Sequence, residues 1–507
     1  MSESYQKLIN YCKQLAIKSS VQSVLSWDQE TYMPEDAIQF RSEQCAWLAK
    51  TVHHDWVSDT FRACLSQCID LNTQKILLDS LSSDQEKVVL EIYKDWSKKK
   101  QLPTDFVGEY SALVSESTHI WQQAKDTNDY ALFEPYLAKL IEFSRQKATY
   151  IDSGKPIYDV LLDDFEPGMT TKTVAALFLS LKKKVVPLLH QVQDLSMHYQ
   201  PISGPFDKDK QWLFTMDILK MMGFDFKNGR QDISSHPFTI DIHPSDVRLT
   251  TRLDENLFFS GITSSVHEGG HGLYEQGLQK EFFGTPLSQA VSLGIHESQS
   301  RLWENHICKS LPFWQGQLAT IRFYFPNQFD TISAHDLWKQ VNRVKPGFIR
   351  VEADEVSYIC HIMIRFECEC QLFNGSITTK ELPDFWNECY QSYLGISPSS
   401  DSEGVLQDIH WSSGLFGYFP TYVMGSICAA QLFNTLEAEF AQLDSMIETG
   451  NWLPIKEWLA IHVFKQGRLH SPNDLIKRAT GDDISAQYLI DYLYQKYELI
   501  YEKKLTV

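Results

Sequence analysis

The stretch TSSVHEGGHGLYEQGL, residues 263–278, contains two histidines four positions apart, His267 and His271. On an α-helix this spacing places both imidazoles on one face, about 40° apart around the axis, where both can bind one zinc ion at about 2.0–2.1 Å. Glu268 lies at the edge of that face and can reach a water molecule at the metal without ligating the metal. The pattern predicts a metal centre with Glu268 as general base. The alternative is an ordinary helix that carries two surface or core histidines.

Three glycines surround the second histidine, at Gly269, Gly270 and Gly272. Each costs a helix about 1 kcal/mol relative to alanine. Glycines at such positions usually relieve crowding of the backbone where a second helix packs close against the first. We expect that second helix to supply the third protein ligand, because two histidines leave a catalytic zinc one protein ligand short.

The candidate for the second helix is SLGIHESQSRLWENHI, residues 292–307. Glu297 is the predicted third ligand, since two histidines and a glutamate form a familiar peptidase set. His296 is the competing candidate. Glu304 is interpreted as a solvated or ion-paired carboxylate.

The segment HPFTIDIHPSDVRLTTRLDENLFF, residues 236–259, precedes the histidine motif. Apolar and polar residues alternate over 238–242 and again over 247–250, with HPSD between them. This alternation predicts a short β-hairpin. A hairpin at this place would offer an edge strand to which an extended peptide can add itself.

The rest of the chain favours helices. Apolar residues recur at spacings of three and four over 130–150, 175–195 and 485–502, and the 24 glycines and 19 prolines are few for 507 residues. The expected fold class is therefore mainly α with one small β-hairpin. We predict a single domain over 1–507, organised as a mainly helical lobe (1–230), a metal-site and substrate-groove region (231–430) and C-terminal helices (431–507).

The composition argues against a nucleic-acid partner. The net charge is −19, and no run of Lys or Arg is longer than the triplets at 98–100 and 182–184. A protein that grips nucleic acid needs a basic patch to release phosphate counterions. We therefore expect no nucleic-acid partner.

The sequence also predicts a cytoplasmic location. The first twenty residues lack the apolar core and cleavage site of a signal peptide, and the ten cysteines include no CxxC pair. The uncharged segment 412–436 is long enough to cross a bilayer, but its proline, glycines and amides are expensive in lipid. We interpret this segment as buried beside the active cleft and expect no membrane partner.

Several residues are candidates for contact with a peptide. An enzyme that removes C-terminal residues needs a cation for the terminal carboxylate, and Arg248 and Arg350 are the candidates, with a structural salt bridge as the alternative for each. His410, with Tyr418 and Tyr422 after it, is a candidate donor to the oxyanion that forms when water attacks a carbonyl. The alternative is that these aromatic residues only pack against the uncharged segment.

Together these motifs resemble the carboxypeptidase Taq family, the thermostable metallocarboxypeptidases with an HExxH zinc site. Six of the family's signatures occur in order along the chain: HPF at 236–238, DVRLT at 246–250, HEGGH at 267–271, HESQ at 296–299, IRVEAD at 349–354 and GVLQDIHW at 404–411. WDQETYMP at 27–34 and YDVLLDDFEPG at 158–168 extend the resemblance over most of the chain.

The resemblance implies His267, His271 and Glu297 as metal ligands and Glu268 as the base that activates water. It also implies a mostly helical, saddle-shaped fold with a deep groove, a homodimer in the cytosol, and the release of C-terminal residues from peptides with broad specificity. The metal would be Zn²⁺, with Co²⁺ also possible. The candidate substrate-binding residues lie within or near the signatures: Arg350, Arg248, His410, Tyr422 and His236.

Two alternative functions remain at this point. An HExxH oligopeptidase that cuts internal bonds would share the metal chemistry but would need no carboxylate clamp. A metal-dependent binding or scaffold protein would bind the metal without hydrolysing peptides.

Overall fold

The structure is a computed structural model that describes residues 2–196 and 202–506, and over these ranges helices dominate. The α-helices in chain order are α1 (Glu3–Thr31), α2 (Ile38–Val57), α3 (Asp59–Ser66), α4 (Ser83–Gln101), α5 (Thr104–Thr127), α6 (Tyr130–Ile151), α7 (Ile157–Leu162), α8 (Thr171–Ser196), α9 (Lys208–Met222), α10 (Phe258–Gly277), α11 (Leu293–Arg301), α12 (Leu311–Tyr324), α13 (Pro326–Phe329), α14 (Ala334–Val341), α15 (Glu355–Asn374), α16 (Leu382–Leu394), α17 (Pro420–Glu439), α18 (Leu443–Glu448), α19 (Leu453–His462), α20 (Pro472–Thr480) and α21 (Ala486–Tyr501).

Shorter helical turns of other types join these elements. A π-helical segment at Leu302–Cys308 continues α11 without a break. Single 3₁₀ turns lie at Glu35–Ala37, Lys280–Phe282, Pro286–Ser288, Arg350–Glu352 and Phe464–Gln466.

One small sheet stands directly before α10. Its strands are β1 (Gly229–Ile233), β2 (Thr239–His243) and β3 (Asp246–Thr251), in the spatial order β1-β3-β2. The antiparallel pair β2 and β3 confirms the predicted hairpin, with each boundary within one residue of the prediction. The parallel strand β1 was not predicted. β2 stands at one edge of the sheet.

Glycines allow the neighbouring helices to pack close against α11. A Cβ on Gly270 of α10 would lie 2.6 Å from the carbonyl oxygen of Gln299 and 2.6 Å from the Cα of Ser300. On the opposite side, a Cβ on Gly425 of α17 would overlap the side chain of Glu297. α11 therefore runs between two helices whose glycines admit its backbone, as the cost of glycine within the histidine motif predicted.

The uncharged segment forms a loop followed by α17, most of whose residues are buried. α17 packs along α11, so its apolar side chains lie against the helix that carries Glu297. No helix in the described ranges is both long and apolar enough to cross a membrane.

Two groups of buried apolar residues hold the structure together. The larger group runs from Leu113 to Leu505 and includes residues of α10, α11 and α17. The smaller group, from Tyr5 to Trp96, lies in the N-terminal helices. The histidine motif is thus anchored in the larger group, where burial of apolar surface stabilises its position.

Candidate metal centre and active site

Three side chains bring ligand atoms to one point. His267 and His271 extend from α10 and Glu297 from α11. Glu297 Oε2 lies 3.7 Å from His267 Nε2 and 3.4 Å from His271 Nε2. Two atoms that each lie about 2.0–2.2 Å from a tetrahedral ion are about 3.3–3.6 Å apart, so this spacing fits one divalent cation. Within the described part of the chain, these three residues form the group whose atoms could hold a metal ion.

The charges of the three side chains also suit a cation. Burial lowers the pKa of His271 to about 3, so its imidazole is neutral and can offer a lone pair. Although burial opposes it, the positive charge of Arg301 together with His267 holds the pKa of Glu297 well below its usual range. The site therefore presents neutral nitrogen and anionic oxygen, the forms in which these groups bind metals.

A second layer of ion pairs fixes two of the ligands. His267 Nδ1 lies 2.9 Å from Glu304 Oε2, an arrangement that orients a ligating imidazole. Glu304 also accepts from Arg301 at 3.2 Å and from Lys309 at 2.7 Å. Arg301 Nε donates to Glu297 Oε1 at 2.7 Å, which leaves Oε2 directed to the two histidines. Glu304 is thus ion-paired and buried, one of the two interpretations made from the sequence.

Glu268 lies beside the three-residue group and is held by the sheet. The hydroxyl of Thr239, on β2, donates to Glu268 Oε2 at 2.6 Å. Burial raises the pKa of Glu268, and His267 and the Thr239 hydrogen bond offset only part of that rise. A carboxylate with a raised pKa next to a cation site is suited to accept a proton.

His296, the competing ligand candidate, is directed elsewhere. Its Nε2 lies 2.7 Å from Glu275 Oε1, and its ring stacks on that of His271 with centroids 4.5 Å apart. Its contacts support the placement of the His271 ring, while Glu297 supplies the third ligand atom of the group.

These residues line one cavity of about 600 Å³, a size typical of small-molecule sites. The edge strand β2 forms one wall, and residues of α10, α11 and α17 form others. The lining residues are Pro237, Phe238, Thr239, Asp241, His267, Glu268, His271, Glu275, Leu278, Ser288, Gln289, Ala290, Leu293, His296, Glu297, Tyr418, Thr421 and Tyr422.

Arg350 and His410 lie directly behind Tyr422. His410 Nε2 is 3.1 Å from the Tyr422 hydroxyl, and the Arg350 guanidinium lies 5.1 Å from the centre of the Tyr422 ring. Burial, reinforced by the positive charge of Arg350, lowers the pKa of His410 to about 3, so this imidazole is neutral. The structure thus brings three of the five candidate substrate-binding residues together; of these, Tyr422 lines the cavity, and the buried Arg350 and His410 lie outside the lining residues.

Arg350 shares its carboxylate partner with a second arginine. Asp408 accepts from Arg350 Nε at 2.8 Å and from Arg365 Nε at 2.7 Å. All three side chains are nearly inaccessible to solvent. Two guanidinium groups therefore share one carboxylate, which leaves this buried cluster with one excess positive charge beside the cavity.

Arg248 and His236 lie outside the residues that line the cavity. Arg248 makes two hydrogen bonds of 2.8 Å to Asp246 and stacks over Trp27 of α1. His236 is exposed at the start of the segment whose next two residues line the cavity. The structure therefore gives Arg248 the salt bridge that was the alternative interpretation of this residue.

Several residues of the site were missed by the sequence reasoning. The roles of Thr239 and Asp408 depend on contacts with distant segments. Arg301 and Lys309 instead pair with glutamates four and five positions before them, a local spacing that the sequence reasoning did not use. Asp408 had the best available signal, because it lies within GVLQDIHW two residues before His410.

Comparison with known proteins finds a family model and relatives that match nearly the whole chain. The family described as "Carboxypeptidase Taq (M32) metallopeptidase" matches residues 7–497. Carboxypeptidase 1 of Bacillus subtilis (strain 168) is 39% identical over 505 residues, which cover 98% of this chain and 99% of the relative. Thermostable carboxypeptidase 1 of Thermus thermophilus is 36% identical over 511 residues, covering 98% of this chain and 99% of the relative.

A solved structure shows the same fold. The crystal structure of an M32 carboxypeptidase from Deinococcus radiodurans R1 superposes with a TM-score of 0.95 at 32% identity, covering 99% of this chain and 100% of that one. The chain therefore shares its overall fold with a solved M32 carboxypeptidase. The chain is a member of the carboxypeptidase Taq (M32) family of metallopeptidases.

Proposed function

We propose that this metallocarboxypeptidase releases C-terminal amino acids from peptides with broad specificity, using one divalent cation held by His267, His271 and Glu297. Zn²⁺ is the proposed ion, with Co²⁺ as a functional substitute. The observation that carries the proposal is the meeting of the three ligand atoms beside Glu268 in one cavity. When bound, such an ion supplies Lewis acidity that polarises the scissile carbonyl and makes water a stronger acid.

In this proposal Glu268 moves the proton. Thr239 donates to Oε2, which fixes the carboxylate and leaves Oε1 free to take a proton from the attacking water. Glu268 then returns this proton to the nitrogen of the departing amine. Its raised pKa favours the first half of this transfer, because a carboxylate that holds a proton too weakly would be a poor base.

Tyr422 and His410 are proposed to stabilise the oxyanion. The Tyr422 hydroxyl lines the cavity, and burial raises its pKa well above its usual value, so the hydroxyl keeps its proton and can donate it. The neutral His410 imidazole lies 3.1 Å from that hydroxyl and orients it. A donor placed in advance in a buried site stabilises developing charge without reorganising at the moment of reaction.

Arg350 is proposed to bind the C-terminal carboxylate of the substrate. Because Arg350 and Arg365 share Asp408, the cluster carries one excess positive charge, which an anion next to Tyr422 would neutralise. Asp408 holds the guanidinium in place and thereby prepares it for the carboxylate. Arg248 and His236 are proposed to contact a more distant part of the peptide.

The edge strand β2 is proposed to hold the substrate backbone. Its residues Thr239 and Asp241 line the cavity, and among the residues that the structure describes, β3 is the strand that pairs with it, along one of its two edges. An extended peptide could therefore pair with β2 through main-chain hydrogen bonds, which are independent of side-chain identity. Binding of this kind is consistent with broad specificity.

We further propose that the protein works in the cytoplasm as a homodimer. The cysteines are free and mostly buried, which suits a reducing compartment. The dimer rests on the family resemblance alone, and light scattering of the purified protein tests it.

One experiment distinguishes this function from cleavage of internal bonds. The metal-loaded enzyme is incubated with an unblocked peptide and with the same peptide amidated at its C-terminus, and the products are followed by mass spectrometry. We expect a ladder that shortens from the C-terminus for the free peptide and strong inhibition by amidation, because the amide carries no charge for Arg350. Equal cleavage of both peptides at internal bonds would support the oligopeptidase alternative and contradict the proposal.

A further inference from the structure

One carboxyl group in the cavity of the metal centre has no role in the proposed mechanism. Four acidic residues line this cavity, and within the described part of the chain its lining includes no lysine or arginine. Glu297 is assigned to the cation and Glu268 to the proton. Glu275 Oε1 lies 2.7 Å from His296 Nε2. The fourth acidic residue, Asp241, is the one that remains to be explained.

The Asp241 side chain is open to the cavity. Asp241 follows Thr239 by two residues on β2, and the pairing of β2 with β3 is regular between them, so both side chains lie on the same face of the strand. On that face Thr239 donates to Glu268, whereas Ile242 is buried on the opposite face. Asp241 itself is exposed and lines the cavity, so a bound substrate can reach its carboxylate.

The electrostatic surroundings of Asp241 favour a cation. Among the residues that the structure describes, no lysine or arginine pairs with Asp241, and the charges that act on it come from Glu275 and His296. The walls of the cleft withdraw the carboxyl group from bulk water, and this burial, together with the charge of Glu275, raises its pKa to about 7. Two carboxyl groups thus share one imidazole, which leaves at least one negative charge when both are ionised.

The contacts of α11 place this negative charge and Arg350 on different sides of the ligand Glu297. His296, at the acidic end, lies one residue before Glu297, and Arg301 lies four residues after it. The Arg301 guanidinium stacks over the ring of Tyr358, whose hydroxyl accepts from Arg350 Nη1 at 3.4 Å. The cavity therefore has a negative charge towards the start of α11, and the buried arginine cluster lies towards its end.

A bound peptide would connect these two ends. When its terminal carboxylate lies near Arg350, the residues before the scissile bond extend along β2 towards Asp241. Thr239 and Asp241 are about 6.6–6.8 Å apart along the strand, which is the length of two extended residues. A long basic side chain near the scissile bond, or the terminal ammonium of a short peptide, can span this distance.

We propose that Asp241 binds a positively charged group of the substrate on the amino-terminal side of the scissile bond. This group is the side chain of lysine or arginine, or the terminal ammonium of a short peptide, since each offers charged N–H donors to a carboxylate. The proposal rests on the proposed carboxypeptidase function and adds a preference to it. Peptides with such a group are cut faster than neutral peptides, while main-chain pairing with β2 accepts any residue.

Matched peptides test the preference for a basic side chain. Each peptide is acetylated at its N-terminus, ends in the same residue, and carries either lysine or N6-acetyllysine at one of the three positions before that residue. Acetylation of the side chain keeps its stem and removes its charge. At pH 8, where Asp241 is ionised, we expect kcat/KM to be about three- to tenfold higher for lysine in at least one of these positions, the effect of one charged hydrogen bond.

A tripeptide with a free N-terminus, compared with its acetylated form, tests the terminal ammonium in the same way. A preference in this pair alone would identify the ammonium as the group bound, and a preference in the lysine set alone would identify the side chain. Ratios near one in both sets would overturn the proposal. Release of the terminal residue at equal rates from all peptides would leave the proposed function intact, whereas no release from any peptide would contradict that function.

Asp241→Asn assigns the preference to this residue. The substitution removes the charge with little change in volume at a position that is open to the cavity. The ratio of kcat/KM between charged and neutral peptides should fall to about one. Asp241→Glu restores the charge and should keep a ratio above one. An unchanged ratio in Asp241→Asn would contradict the proposal.

Asp105→Asn is the matched control. Asp105 is exposed at the start of α5 and does not line the cavity. This variant loses the same charge from the molecule as Asp241→Asn, so any effect of net charge on substrate attraction is equal in both. Asp105→Asn should keep the ratio of the parent enzyme. An equal fall in both variants would show that the preference arises from net charge and would overturn the role of Asp241.

Discussion

The pKa values of two buried glutamates in one cavity, Glu268 and Glu297, are shifted in opposite directions by their surroundings. Burial raises the pKa of Glu268, to which the neutral hydroxyl of Thr239 donates. Glu297 is equally buried, but Arg301 and the imidazoles of His267 and His271 lower its pKa strongly. Environments that separate the pKa values of two like groups commonly separate their roles. The difference supports Glu297 as a permanent anion for the metal and Glu268 as the group that exchanges a proton.

Glu268→Gln tests this division of roles. We expect the variant to bind a full equivalent of metal, because Glu268 is not one of the three converging residues. Turnover should fall by at least about 10²-fold, since an amide cannot accept the proton of the attacking water. Elemental analysis and steady-state kinetics measure the two effects. Glu297→Gln is the contrasting variant and should lose metal as well as activity, whereas full activity of Glu268→Gln would remove Glu268 from the mechanism.

At the scale of single residues, the sequence was most informative where its signal is local. The spacing of His267 and His271 depends only on helix periodicity, and it placed both imidazoles on one face as predicted. The pairing of Arg248 with Asp246 was also readable, because residues two apart on a strand share a face. The contact of Glu304 with His267 was not readable, since it joins different helical segments.

At the scale of elements, the site depends on the close approach of α10, α11 and α17. Glycines at the two helix contacts let the backbone of α11 fit between its neighbours, so Glu297 reaches the histidines of α10. The glycines of the histidine motif predicted such a partner helix. They could not identify α17 as a second partner, because Gly425 lies in a segment without any metal-binding motif.

Gly270→Ala measures the importance of this contact. Alanine favours a helix by about 1 kcal/mol over glycine, but its Cβ would lie 2.6 Å from the backbone of α11. We expect a net loss of about 1–3 kcal/mol in the free energy of unfolding, which is typical of overpacking.

Gly108→Ala is the matched control for that change. Gly108 lies within α5, and a Cβ there meets no atom within 4 Å. This substitution should stabilise the protein by about 0.4–1 kcal/mol. Denaturant titrations compare the two variants, and equal effects would show that the approach of α10 to α11 does not restrict residue size.

The N-terminus of α11 is held by a buried carboxyl group from the segment YDVLLDDFEPG. The Glu166 side chain accepts a hydrogen bond from the backbone nitrogen of Gly294. The backbone nitrogen of Leu293 donates to the carbonyl oxygen of Phe165 at 3.1 Å. Burial raises the pKa of Glu166 to about 8. This contact gives the segment a structural role that its sequence alone did not reveal.

Glu166 makes stability depend on pH in a defined window. Below about pH 4.5 the carboxyl group is neutral in both the folded and the unfolded chain, so its contribution is complete. As the pH rises towards about 8, the Glu166 carboxyl group ionises in the unfolded chain but stays protonated in the folded chain. The free energy of unfolding therefore falls over this range. Glu166→Gln cannot ionise and should therefore lose less stability than the parent between pH 5 and pH 8. Unfolding midpoints at these two pH values provide the measurement, and an identical pH dependence would contradict the assignment.

At the scale of the whole molecule, the predicted class of fold is confirmed, and the hairpin stands where its alternating pattern placed it. The strand β1 was missed because GRQDI has no clear alternation, and because its parallel partner β3 lies farther along the chain. The π-helical segment after α11 was also missed, since no residue pattern distinguishes it from a continuing α-helix. Both omissions concern non-local pairing or local irregularity, which periodicity cannot detect.

One divalent cation is proposed to bind between α10 and α11, beside Glu268. X-ray diffraction from crystals of the zinc-loaded protein, recorded on both sides of the zinc absorption edge, would locate this cation. We expect a single strong anomalous peak within bonding distance of His267 Nε2, His271 Nε2 and Glu297 Oε2. A peak that is bound by His296 in place of Glu297, or that lies outside this cavity, would contradict it.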